Sequence, residues 1–232
     1  MADVVSTEPA DCAAAYRELR ARVSALAREA DPAALDAIAP ATPEWRVRDI
    51  LAHMSGVNTD IVNGNLNGVA SDGWTDAQVA TRRDWPVDEI LAEWETNGSA
   101  VEANAAMLGS AAGQWVYDAC THEHDIRHAL GAPGARDSDA VAIAFEWGTD
   151  WLARGLDGQG VPGLVLETDD GSKAVGAGEP RATVRVERFE VLRAMTGRRS
   201  VAQMEAYGWD GPPQPAHLVL AIFAPRAADL AE

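Results

Sequence analysis

The run Asp118-Ala-Cys-Thr-His122-Glu-His124-Asp125-Ile-Arg-His128 crowds three of the five histidines and three carboxylates into one stretch of predicted helix. At about 100° per residue, positions four apart lie about 40° from each other, so Asp118 and His122 share a helix face and Asp125 falls on it too. His124 and His128 form a second pair, on a face rotated well over 90° from the first. Each pair has metal-ligand chemistry, and only one can face a bundle interior. The Asp118 face also carries Ala111, Trp115 and Ala129, which is the more core-like stripe. The zinc-protease pattern H-E-x-x-H begins at His122-Glu123 and fails at Ile126. A third ligand has to come from another helix. His53, in Trp45-Arg-Val-Arg-Asp-Ile-Leu-Ala-His53, is the only histidine of the second long helix. Two imidazoles and a carboxylate leave positions open on a divalent metal, as catalysis requires. The competing reading is plainer: a buried histidine that is only hydrogen-bonded, or histidines near a helix C-terminus that answer its dipole.

The elements that must hold these residues are legible as periodicity. Up to about Leu156 the pattern is helical, with four long helices predicted over Pro9–Ala30, Val47–Leu66, Ser110–Leu130 and Ser138–Leu156. A further helical stretch, Val87–Met107, follows the start signal Asp84-Trp85-Pro86 and either pairs with or replaces a bundle member. After Gly158 the texture changes. Gly163–Asp169 reads as a strand, Asp169-Asp170-Gly171 as a turn, and Ala182–Glu187 alternates with period two. Phe189–Met195, Val201–Ala206 and Ala216–Phe223 read as short helices. The expected fold class is therefore α+β: a helical bundle over residues 1–158, then a small α/β domain over 159–232. The eight tryptophans are expected mainly as packing residues, with one or two lining a pocket.

With 47% hydrophobic and 24% charged residues, the 232-residue chain can bury a core without staples. Its net charge of −17 repels phosphate, which excludes nucleic acid and anionic membranes as partners. The opening residues show no basic segment followed by an apolar run, and no 18-residue apolar stretch occurs, so a cytoplasmic location is expected. Cys12 and Cys120 are read as buried thiols, neither of them catalytic; Cys120 lies about 200° around its helix from Asp118.

The segments Thr42-Pro-Glu-Trp45-Arg-Val-Arg-Asp-Ile-Leu-Ala-His53, Asp118-x-x-x-His122-x-x-Asp125-Ile-Arg and Phe189-Glu-Val-Leu-Arg-Ala-Met-Thr-Gly-Arg-Arg-Ser200 resemble the mycothiol-dependent maleylpyruvate isomerase family. In order and spacing they span nearly the whole chain. The resemblance implies a DinB-like four-helix bundle holding a divalent metal, usually zinc, at His53, Asp118 and His122, followed by a small α/β domain. The isomerase type carries glutamate where this chain has Asp118, and Arg46 replaces the Ser or Thr that commonly caps the second helix. The implied activity uses mycothiol as a thiol cofactor. Its thiolate adds to the double bond of an unsaturated dicarboxylate, rotation follows, and elimination gives the trans isomer; without elimination the outcome is S-transfer to an electrophile. Arg198 is the expected anion-binding and catalytic arginine, while Arg199 reads as a helix-terminal structural residue, and Asp49 and Asp125 are candidates to orient the histidines. The expected partners are a small thiol and a small electrophile, and the oligomeric alternatives are monomer and homodimer. The reading from a different class is a non-catalytic metal- or small-molecule-binding module that keeps the bundle.

Overall fold

The computed structural model describes residues 6–232, so the first five residues of the expected bundle domain lie outside it. The chain divides into two compact units, Glu8–Gly134 and, apart from the N-terminal residues, Ala135–Glu232.

The first unit is built on four long helices: α1 (Pro9–Glu29), α3 (Val47–Asn63), α5 (Val87–Ala103) and α6 (Ala112–Ala129). Their apolar positions repeat at helical spacing; on α1, Cys12, Tyr16, Leu19, Val23 and Ala27 are all buried. The helices close a bundle in which α1 and α3 each pack against both α5 and α6. Pro9 opens α1 at a position where its missing N–H costs nothing, and Gly64, at φ 68°, ends α3 in the left-handed conformation a helix stop requires. Between α1 and α3 run the short helix α2 (Pro32–Leu35) and an antiparallel ribbon of β1 (Ile38–Ala39) and β2 (Thr42–Arg46). A further helix, α4 (Asp72–Arg82), packs on α3. A 3-10 segment, Ala105–Ala111, joins α5 to α6.

The second unit contains α7 (Asp139–Gln159), β3 (Leu164–Thr168), β4 (Gly171–Val175), β5 (Ala182–Arg185), α8 (Arg188–Met195), α9 (Val201–Glu205) and β6 (Gly208–Asp210). The strands form one sheet in the order β4-β3-β5-β6; β3 and β4 make the expected hairpin, and β5 runs parallel to β3. Leu164, Leu166 and Val184 turn to the buried face of this sheet.

Two expectations change, and one helix is added. The fourth bundle helix is α5, whereas α7, expected in that place, packs on α8 and β4 of the second unit. Ala216–Phe223 does not form an α-helix; only Pro215–Leu218 winds, as a 3-10 turn. α4 has no counterpart in the sequence reading. Its buried residues are Gln78, Val79 and Arg82, so it lacks the apolar stripe by which helices are found. No helix among the described residues is long and apolar enough to cross a membrane.

Candidate metal centre

His53 sits on the second turn of α3, and Asp118 and His122 lie one turn apart on α6. The contact between α3 and α6 brings the three side chains together. Each offers a ligand atom within 4.8 Å of the others, the one such cluster of three His, Cys, Asp or Glu side chains among the described residues. The Asp118 carboxylate spans the two rings: Oδ2 is 3.3 Å from His53 Nε2 and Oδ1 is 3.8 Å from His122 Nε2. A four-coordinate zinc with ordinary bond lengths sets its donors about 3.4 Å apart, so this donor set fits such an ion. The side chain of Asp118 is 39% exposed, and those of His53 and His122 are buried. The site therefore opens to solvent past Asp118.

The far nitrogen of each imidazole is also held. His122 Nδ1 lies 3.1 Å from Asp125 Oδ2, and His53 Nδ1 lies 2.8 Å from Gln78 Oε1. These partners leave Nε2 of both rings directed into the cluster. Trp45, on β2, forms a wall: its ring centre is 5.2 Å from that of His53 and 5.6 Å from that of His122, and the two imidazoles stand edge to face 5.0 Å apart. Trp45 reaches this place because β2 runs directly into α3.

Burial pushes His53 down, but the Asp118 carboxylate and the Gln78 hydrogen bond more than offset it and its pKa is raised. For His122 burial prevails over Asp125 and Asp118, and the pKa is lowered.

Asp125 thus stands where the sequence reading had it. Asp49 does not orient a histidine. Its carboxylate accepts from the Arg46 backbone N–H and from both Arg46 Nε and Nη2, which supplies the cap that α3 lacked in the sequence reading. Arg199 is a structural residue, buried between Glu190 and Glu232. Arg198 is buried in the second unit, where its Nη1 donates to the Thr196 carbonyl at 2.7 Å. His124 and His128 are not part of the cluster. Gln78 escaped the sequence reading altogether.

The family profile described as "Mycothiol maleylpyruvate isomerase N-terminal domain" matches residues 16–136, more than half of the chain and the part that carries all three clustered residues. The chain belongs to the mycothiol-dependent maleylpyruvate isomerase family. Among solved structures it is similar to the mycothiol-dependent maleylpyruvate isomerase, at 15% identity and a TM-score of 0.57 over 88% of this chain and 95% of that one. It is likewise similar to a histidine-to-alanine mutant of that enzyme, at 14% identity and a TM-score of 0.58 with the same coverage. At these identities the likeness concerns the fold. Comparison with curated proteins gave no match.

Proposed function

We propose that this protein is a metal-dependent enzyme that uses mycothiol to isomerise, or transfer the thiol to, a small electrophilic substrate. The observation that carries the reading is the His53, Asp118 and His122 cluster, reached by solvent at Asp118, in a chain of this family. A divalent cation, zinc by preference, supplies Lewis acidity that keeps an incoming thiol in its thiolate form at neutral pH. His53, Asp118 and His122 hold it, and Asp125 and Gln78 keep the imidazoles aimed. Trp45 closes one side of the site and limits the water that reaches it. In the isomerisation the thiolate sulfur bonds to one alkene carbon, the former double bond rotates, and the same C–S bond breaks as the double bond re-forms, so the thiol returns unchanged. In the transfer reaction a proton replaces that elimination and the C–S bond persists. Both protein thiols are buried, and burial together with Asp11 pushes Cys12 up to about 11, which supports an external thiol as the nucleophile. Arg198 is assigned to an anionic group of the substrate or thiol, and a reducing, cytoplasmic compartment suits the reading.

The test is a titration of zinc-loaded and metal-free protein with mycothiol and with a small unrelated thiol. Expected is about one metal per chain, binding of mycothiol only to the metal form, and weaker binding as pH falls, because thiolate coordination releases a proton. His53→Ala or His122→Ala should lose the metal, and His124→Ala should keep it. Equal binding of mycothiol to metal-free protein would leave a non-catalytic binding module as the better account.

A further inference from the structure

Only one ring nitrogen of His53 faces Asp118 and His122. The other lies against Gln78, and Gln78 Nε2 in turn lies 2.6 Å from Asp60 Oδ2. Which way round a carboxamide sits is decided by its partners. A carboxylate only accepts, so the end of Gln78 that meets Asp60 must be its NH2 group. The carboxamide oxygen then meets His53, and because that oxygen also only accepts, His53 Nδ1 must carry a hydrogen. Nε2 is left as the coordinating nitrogen.

The relay is anchored at both ends. Asp60 Oδ1 accepts from Asn65 Nδ2 at 2.8 Å, which leaves Oδ2 for Gln78. Helix α4 lies so close to α3 that a Cβ on Gly56 would be 2.6 Å from Gln78 Cβ; only glycine leaves room there. Arg82 donates from Nη1 to the Gln78 carbonyl at 3.0 Å and pairs with Glu93, which pins the last turn of α4 to α5. Gln78 is itself 3% exposed, a buried polar side chain on a helix with almost no apolar face.

The geometry points to Gln78 as a positioning residue of the metal centre: through the chain Asp60, Gln78, His53 it sets the tautomer and the aim of His53. His122 is aimed by a carboxylate, Asp125, whereas His53 is aimed by a neutral amide, which sets no second carboxylate against that ring. The assignment rests on the proposed function only in taking the cluster as a metal site.

The experiment compares the full chain with Gln78→Leu, which keeps the volume and removes the acceptor, and with the exchange Gln78→Glu plus Asp60→Asn, which restores a donor facing an acceptor. Zinc affinity is read by competition with a chromophoric chelator, and the His53 Nδ1 proton by NMR of metal-free protein. Gln78→Leu should lower zinc affinity about ten- to a hundredfold and lose the protected Nδ1 proton, with circular dichroism unchanged, and the exchange should recover both. Unchanged zinc affinity in Gln78→Leu, or an Nδ1 proton as protected as in the parent, overturns the assignment. If the parent chain takes up no zinc, it is the metal reading that fails, and the Nδ1 proton still decides the relay.

Discussion

His53 and His122 are neighbours with opposite titration behaviour. The raised pKa of His53 contributes stability that is complete below the unfolded imidazole value of 6.5 and is lost as pH rises through the folded value. The lowered pKa of His122 contributes stability present above 6.5 and lost as pH falls through its folded value. Proton and cation compete for His53 Nε2, so metal affinity is expected to fall on acidification from a pH above 6.5. Asp118 is the first of the groups that raise His53, and its removal has a defined sign. In metal-free Asp118→Asn protein, the His53 titration followed by NMR should move to lower pH. A titration that stayed in place would show that Asp118 is not the charge His53 senses.

At the scale of elements, what matters is how closely α4 seats on α3. Gly56→Ala drives a methyl into Gln78 and brings it 2.9 Å from Arg82 Nη1, so it should cost about 1–3 kcal/mol in chemical denaturation and weaken zinc binding. Gly155, inside α7, is the contrasting case, because nothing lies within 4 Å of an added Cβ there and its φ is not positive. Gly155→Ala should stabilise by about 0.5–1 kcal/mol through helix propensity alone, without touching the metal. If both substitutions gave the same stability change, close packing of α4 on α3 would not be the reason for glycine at 56.

For the molecule as a whole, the division at 134 has a functional side. His53, Asp118 and His122, with Gln78, Asp125 and Trp45, all belong to Glu8–Gly134, which has its own four-helix core. A chain ending after Gly134 is expected to retain about one divalent metal, as checked by elemental analysis and circular dichroism. Loss of the metal with helicity intact would mean that residues beyond 134 help to hold it.

The positions of Asp118, His122 and Asp125 on one face of α6, the alternation of β5, and the helical starts at Pro9 and Val87 were all determined by the sequence, because backbone geometry within one element sets those angles whatever surrounds it. The same periodicity says that a helix has an apolar stripe without saying what covers it. That is why α5 and α7 could not be told apart as bundle members, and only packing chose between them. It is also why the pairing of Arg199 with Glu232, 33 residues away, has no signal along the chain. Gln78 lay furthest out of reach. Its helix is held by a glycine seat and an arginine–glutamate pair instead of an apolar stripe, and its contact with His53 spans 25 residues. Such contacts have no period along the chain; they exist only once α3, α4 and α5 have packed together.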